Sequence, residues 1–435
     1  MEAFDIGLIS LGAMVVFVMA GLYVPIALMA CSFVGIWAIK GSPLLASKAL
    51  ALAASDTIAS YFFGVVPLFV LMGFLVSESG MGRDAFDVAN QGFRKIKGGL
   101  GVGTVGANAI FAAITGISIA SAAVFTKIAV PQMVRHGYNA RFATGVVAGS
   151  SVLGMLIPPS LLLILYGLLT DQSIGDLFLA GIGPGILLSV VFGLGIIATA
   201  VFAPRFIGNP TIPEDGALSG TEVLAKGLPI VLLISVVLGG IYGGVFTPVE
   251  AGAIGSIGAL VLGLAKRALN LKAIGRVLVE TGLVTASICF LIIAAQMYSR
   301  MLAFSGLPAE FGSLVTTADL SLMMVITLYV AVVIAMGMML DSSSIMLILV
   351  PLMMPVMNTF GVDLIWFGIV TVIAVEIGLL TPPFGISVYV IKSTLDDPSI
   401  TLADIFIGAA PFALAMLGVL ILVIAFPVIA TGLIP

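Results

Sequence analysis

Charge is what this 435-residue chain has least of: 9% of its residues are Asp, Glu, Lys or Arg, against 61% that are hydrophobic. Soluble domains carry about a quarter charged residues, so a water-exposed globule is excluded. Histidine occurs once, at His136, and cysteine twice, at Cys31 and Cys289. A Cys/His metal cluster and a disulfide framework are therefore both excluded, and the two thiols, set in apolar runs, read as small buried hydrophobes. The chain lacks a Walker A sequence, H-E-x-x-H, and any Ser/His or Cys/His pair able to meet on one membrane face. ATP hydrolysis and nucleophilic catalysis have no machinery here, and the expectation is a non-enzyme without nucleotide or catalytic metal. A net charge of only −4 points to no nucleic acid. The start, Met-Glu-Ala-Phe-Asp, lacks the basic opening of a cleaved signal peptide, so residue 1 is expected to stay.

Glycine (51) and proline (21) are abundant, as suits broken, closely packed membrane helices. A span takes roughly 20 apolar residues, which leaves room for about a dozen passes or half-passes and requires a lipid bilayer as solvent. One stretch is written twice. Adding about 224 to the numbers of Pro131, Gly137, Gly154, Pro158 and Pro159 lands on Pro355, Gly361, Gly378, Pro382 and Pro383. A similar shift carries Gly21, Pro25 and Gly35 onto Gly244, Pro248 and Gly258, so an internal repeat covers nearly the whole chain.

The first copy, 1–205, divides into scaffold helices within 1–76, a surface arm helix at 77–98, a hairpin at 100–134, a broken helix at 142–168 and a span at 177–202. A polar connector, 206–226, holds Pro210, Pro213, Glu214, Asp215 and Gly216. The second copy, 227–435, has scaffold helices at 227–265, a span at 280–302, a polar link, a hairpin at 320–357, a broken helix at 364–390 and a span at 404–433. Within the scaffold the apolar runs fall at about 5–22, 24–39 and 57–76. Apolar pieces at about 100–114 and 122–134 are short for full crossings, so each hairpin is expected to be re-entrant with its tip at mid-membrane. This topology places Arg94, Lys95, Lys97, Arg135, Arg141, Arg205, Lys226, Lys266, Arg267, Lys272, Arg276 and Lys392 on one face, expected to be cytoplasmic. The two halves then start on opposite sides, with the N-terminus periplasmic. Such an inverted-topology, all-α polytopic architecture is characteristic of secondary transporters.

The chemistry concentrates at two places. Proline has no N–H, so Pro158 and Pro159 should free the carbonyls of Gly154 and Met155, and Pro382 and Pro383 those of Gly378 and Leu379. Hydrocarbon cannot satisfy such groups, so broken backbone belongs in protein or beside a polar cavity. Each hairpin tip is rich in hydroxyls and glycine: Thr115, Gly116, Ser118 and Ser121 in the first, Gly337, Asp341, Ser342, Ser343 and Ser344 in the second. A tip meeting a break gathers the hard oxygen ligands that a small cation prefers. One cation site is therefore expected from Thr115, Gly116, Ser118, Ser121, Gly154, Met155 and Pro158. A second is expected from Gly337, Asp341, Ser342, Ser343, Gly378, Leu379, Thr381 and Pro382. A solute would face Ser118, Pro159, Ser160, Ser344 and Pro383. The competing account is that small residues only let helices pack and that Ser and Thr bond back to their own helices. Glu376 and Asp341, charges within apolar runs, either support the second site, bind a proton, or cap helices and bond broken backbone. Lys127 is a third intramembrane charge, and Glu250 reads as a helix-start carboxylate. Gly101-Val102-Gly103-Thr104-Val105-Gly106 matches G-x-G-x-x-G but follows no strand, so it is set aside.

Several strings resemble the large membrane subunit of tripartite ATP-independent periplasmic (TRAP) transporters. They are Pro67-Leu68-Phe69 with Gly73, Gly154-x-Leu156-Ile157-Pro158-Pro159-Ser160 with Tyr166-Gly167, and Ala180-Gly181-Ile182-x-Pro184-Gly185. Phe246-Thr247-Pro248-x-Glu250-Ala251 and Glu376-Ile377-Gly378-Leu379-x-Thr381-Pro382-Pro383-x-Gly385 belong to the same set. Where that family commonly has Ser-Gly-Ser-Ser at the first tip, this chain has Thr115-Gly116-Ile117-Ser118, one hydroxyl fewer. The resemblance implies sodium-coupled import of an organic acid anion, a carboxylate or sulfonate, across a bacterial inner membrane by an elevator motion. It also implies two or more coupling Na⁺ ions, a small four-helix membrane subunit on a separate chain and a periplasmic substrate-binding protein. A stand-alone Na⁺- or H⁺-coupled symporter of similar architecture is the alternative.

Overall fold

A computed structural model describes residues 2–210, 218–395 and 397–434. The described residues are helical throughout their ordered elements, with a lone antiparallel bridge between Tyr138 and Gly208. Among the described residues, seven helices are long and apolar enough to cross a membrane. Residues 211–217 of the expected connector, with Pro213, Glu214, Asp215 and Gly216, lie outside the described residues.

One group of helices forms a scaffold. It comprises Ala3–Met19, Val24–Lys40, Pro43–Ala59 and Val65–Glu78 from the first half, with Gly220–Tyr242, Pro248–Ala265 and Leu271–Ser305 from the second. The 35-residue helix Leu271–Ser305 packs on the second, third and fourth of these and ties the halves together. Two sequence boundaries need correction here. The expected span at 57–76 is two helices, because Ser42 caps a helix beginning at Pro43 and the chain breaks at Ser60 and the 3₁₀ turn Tyr61–Gly64. The span expected at 280–302 runs instead from Leu271, whose start is capped by Asn270, to Ser305, where Gly306 takes a left-handed conformation and ends it.

After Val65–Glu78 the chain turns by 67° into the arm helix Met81–Phe93. The arm buries Met81, Ala85, Phe86 and Ala89 and presents its acids to the scaffold. Asp84 pairs with Lys266 and Asp87 with Lys226, Gln91 exchanges hydrogen bonds with Leu218, and Glu78, at the end of the preceding scaffold helix, pairs with Arg276. At the corresponding place in the second half, the link expected to be a polar connector is the helix Leu307–Thr317.

The remaining helices form a second group. Two hairpins, Gly99–Thr115 with Ser118–Arg135 and Leu322–Gly337 with Ser342–Thr359, have arms of 16 to 18 residues. Their returning arms start at Ser118 and Ser342 themselves, earlier than the apolar runs suggest, since polar residues at a tip also serve as first-turn residues. The first broken helix runs Ala140–Ser151 and Leu153–Leu156, then resumes at Leu161–Thr170; the second runs Leu364–Leu380 and resumes at Ile386–Thr394. Helices Ile174–Phe202 and Leu402–Ala425 complete the group, the latter ending short of the expected 404–433 because Pro427 separates off Val428–Thr431. Gly145 and Gly408 bring the first broken helix and Leu402–Ala425 together backbone to backbone, and a Cβ on either would meet a carbonyl about 2 Å away.

The direction of the halves follows from contacts. Gly7, near the start of the first scaffold helix, lies against Ser305 at the far end of the 35-residue helix. Lys226, near the start of the corresponding helix in the second half, pairs with the arm at the opposite end, where Arg276 also sits. The corresponding helices therefore begin at opposite ends, which is an inverted-topology arrangement. Asp171, Asp176, Ser60 and Thr247 line one cavity at the end away from the arm.

Candidate functional site

Both tips dock on the breaks with which they share a repeat. Gly154 sits so close to the first tip that an added Cβ would be 3.0 Å from the Ser118 nitrogen. Gly116, with φ of 64°, turns the tip, and a side chain there would run into the Pro159 carbonyl. Leu161 N–H donates to the Gly116 carbonyl at 3.0 Å, closing tip onto break. The second pair repeats this arrangement. A Cβ on Gly378 would lie 2.5 Å from the Gly337 Cα, and Phe384 and Gly385 N–H point at the Met338 carbonyl at 3.2 and 3.4 Å. Under the repeat shift Gly385 is the counterpart of Leu161. The Pro158–Pro159 and Pro382–Pro383 peptide bonds are both cis.

The breaks are better satisfied than proline chemistry alone implies. The Met155 carbonyl accepts from the Ser160 hydroxyl, which also receives Leu163 N–H at 3.3 Å as the cap of the resuming helix. The Gly378 carbonyl accepts from Thr381 N–H at 3.0 Å. Thus two of the four carbonyls expected to be free are held by the chain itself. Thr115 and Thr381 donate their hydroxyls to Phe111 and Ile377 of their own helices, at 2.9 and 2.7 Å. At these positions the self-bonding account describes the hydrogens correctly, although each hydroxyl oxygen keeps lone pairs. Asp341 is a cap: it accepts from Ser344 N–H at 3.1 Å and from the Ser344 hydroxyl at 2.5 Å. Ser343 and Asp341 are half-buried, Ser342 and Ser344 buried.

Two clusters set the tips apart. Ser121 donates to Asn108 Oδ1 at 2.6 Å, and Asn108 Nδ2 donates to Ser150 Oγ at 2.7 Å, linking both arms of the first hairpin to the first broken helix. Asn108 and Ser150 were not singled out in the sequence, although a lone Asn inside the apolar stretch 99–115 was a usable signal. The second cluster surrounds Glu376, which is 1% exposed. The Ser342 hydroxyl donates to its Oε1 at 3.3 Å, and Ser118 from the other tip approaches the same carboxyl. Neither the Ser118 hydroxyl nor Glu376 Oε2 has a hydrogen-bond partner. Ser118, packed on Gly154 of its own break, thus lies near a carboxyl of the other half.

Other charged residues stay out of this centre. Lys127 is exposed on the outer side of its arm. Glu250 closes a capping box with Thr247, at 2.8 Å to the Thr247 N–H. Arg141 pairs with Asp404 at 2.7 Å and fixes the start of the first broken helix to the last long helix. His136 bonds the Gln132 carbonyl at 2.8 Å and, with Arg94, Lys95 and Lys97, lines a cavity of about 810 Å³ at the base of the first hairpin, away from both tips.

A family profile described as "Tripartite ATP-independent periplasmic transporter, DctM component" matches residues 11–429. The chain belongs to this family. The DctM-family chain is 34% identical over 387 residues to the C4-dicarboxylate TRAP transporter large permease protein DctM of Pseudomonas aeruginosa, covering 89% of each sequence. It is 31% identical to the sialic acid TRAP transporter large permease protein SiaM of Vibrio cholerae, covering 83% of each. Its fold is shared with the YdaH transporter of Alcanivorax borkumensis at a TM-score of 0.58 and 16% identity, over 88% of this chain and 89% of that one. The DctM-family chain is thus the large permease component of a TRAP transporter, a multi-pass membrane protein whose relatives are transporters and not enzymes.

Proposed function

We propose that this permease carries an organic acid anion, a carboxylate or a sulfonate, inward across the bacterial inner membrane, coupled to Na⁺. The observation that supports this reading most is the paired docking of Gly116 on Pro159 and of Gly337 on Gly378, which gathers backbone and hydroxyl oxygens at two equivalent places. In the first, Thr115, Ser118 and the Gly154 carbonyl stand ready to hold one ion; in the second, Ser342, Ser343, Thr381 and the Leu379 carbonyl hold another. Two bound cations would supply positive potential for the anion, which the hydroxyl of Ser118 and the starts of the resuming helices, capped by Ser160 and Gly385 just after Pro159 and Pro383, would receive. Each net positive charge carried inward contributes about 2.3 kcal/mol per 100 mV of membrane potential, so more ions than anionic charges gives accumulation. The hairpins and broken helices would move together against the scaffold as an elevator. A small four-helix subunit enlarges that scaffold, and a periplasmic binding protein delivers the solute. The basic end is cytoplasmic and the N-terminus periplasmic.

The test is uptake into proteoliposomes holding this chain with its small subunit, supplied with the loaded binding protein. Uptake should follow an inward sodium gradient. Uptake undiminished without sodium under a proton gradient overturns the coupling, and transport by this chain alone overturns the need for partners.

A further inference from the structure

The cavity of about 810 Å³ at the base of the first hairpin takes no part in the tip-and-break chemistry. It lies where the arm helix ends, and residues 94–98, Arg-Lys-Ile-Lys-Gly, turn the chain from arm to hairpin. Gly98, with φ of 78°, completes that turn and lies against Ile196 of Ile174–Phe202. Phe86 of the arm, Leu100 of the hairpin and Ala200 near the end of Ile174–Phe202 form the walls. That long helix has 29 residues, about 43 Å at 1.5 Å per residue, against a hydrocarbon core of roughly 30 Å. Its end, and the cavity with it, therefore stands at the level of the lipid headgroups.

Arg94, Lys95 and Lys97 give the cavity three cations, and its one lining carboxylate among the described residues, Asp87, is held by Lys226. No ion pair among the described residues involves Lys95 or Lys97. The two lysines are two residues apart and repel each other, a cost that a bound anion relieves. Apolar side chains stand beside these cations. Ile96, between the lysines, is 39% exposed, and Phe202, two residues beyond Ala200 of the wall, is 86% exposed. A small water-soluble anion gains nothing from such a rim. A phospholipid does, because its phosphate meets the cations while its acyl chains cover the apolar side chains. We propose that this cavity binds the headgroup of an anionic phospholipid, its phosphate held by Arg94, Lys95 and Lys97. The arm packs with the scaffold and the hairpin with the second group of helices, so a headgroup here joins the two groups. The proposal is independent of which solute or ion is carried.

The experiment titrates the full chain, purified in detergent with its small subunit, with phosphatidylglycerol and separately with phosphatidylcholine, and counts bound lipid by native mass spectrometry. Wild type should bind phosphatidylglycerol about tenfold tighter or more. Lys95→Gln with Lys97→Gln, both at exposed positions, should weaken phosphatidylglycerol binding about thirtyfold, the equivalent of about 1 kcal/mol for each lysine near an anionic surface, and leave phosphatidylcholine unchanged. Lys95→Arg with Lys97→Arg should bind as wild type does. Arg267→Gln with Lys272→Gln is the control: these residues sit beside Lys266 and Arg276, which pair with the arm end, but do not line the cavity, and phosphatidylglycerol binding should hold. Equal weakening by both glutamine pairs means diffuse attraction to a basic face and overturns the site, as does unchanged binding in Lys95→Gln with Lys97→Gln. Glycerol 3-phosphate that raises the melting temperature through the same lysines, without any preference for phosphatidylglycerol, overturns the lipid as the ligand. Should the glutamine pair fail to give monodisperse protein, wild type decides: equal affinity for the two lipids overturns the proposal.

Discussion

Replacing Gly378 by alanine tests the tip-and-break junction most directly. The added methyl would lie 2.5 Å from the Gly337 Cα and 2.8 Å from both the Gly337 carbonyl carbon and the Ile334 oxygen. Carbon–carbon contacts settle at 3.5–4.0 Å, so the second hairpin must withdraw by roughly 1 Å. The obstacle is backbone on a packed helix and cannot rotate aside. Overpacking of this kind costs about 1–3 kcal/mol, from which the better helix propensity of alanine returns up to about 1 kcal/mol. Withdrawal separates Ser342 and Ser343 from the second break, so cation affinity should fall with stability. A coupling energy of about 1–3 kcal/mol corresponds to a roughly 5–150-fold weaker sodium half-saturation. Gly418→Ala is the control: nothing lies within 4 Å of its added methyl, and it should be neutral or stabilising. The readouts are thermal unfolding in detergent and uptake against sodium concentration. If Gly378→Ala melts with the wild type and keeps its sodium half-saturation, the junction does not hold an ion.

Ser160→Ala removes both the donor to the Met155 carbonyl and the cap at Leu163, and should destabilise by about 1–2 kcal/mol in a thermal scan, more than Ser343→Ala, whose side chain is only half-buried. Asn108→Leu leaves Ser121 and Ser150 without their shared partner inside the first hairpin. A loss of about 1–3 kcal/mol is expected, again by thermal unfolding, and an unchanged melting temperature would show that the network is dispensable. Asp87→Asn breaks one clamp between arm and scaffold, but its partners are about a third exposed. Stability should change by less than about 1 kcal/mol, with a smaller difference in high salt; a larger loss would mean the clamp is a concerted unit with Asp84 and Glu78.

Periodicity and composition determined what local chemistry can encode. Residues that must break or turn backbone reveal themselves wherever they occur, so the double prolines at 158–159 and 382–383 and the glycines at 116 and 337 marked the breaks and tips before any contact was known. Their fixed spacing likewise exposed the doubled plan, because an inverted repeat preserves order along the chain even though it reverses direction in space. Helix ends that depend on small or polar residues were harder to read. Ser42 and Pro43 open a helix where no apolar run stood out, and Leu307–Thr317 is a helix where the residues alone read as a polar connector. Only the tertiary structure decided who satisfies whom. Ser160 reaches back to the Met155 carbonyl, Asn108 finds Ser121 and Ser150 on two other elements, and Ser118 and Ser342, some 224 positions apart, converge on Glu376. A hydroxyl's partner is set by distance in space, and in a chain whose halves run in opposite directions sequence position says little about that distance.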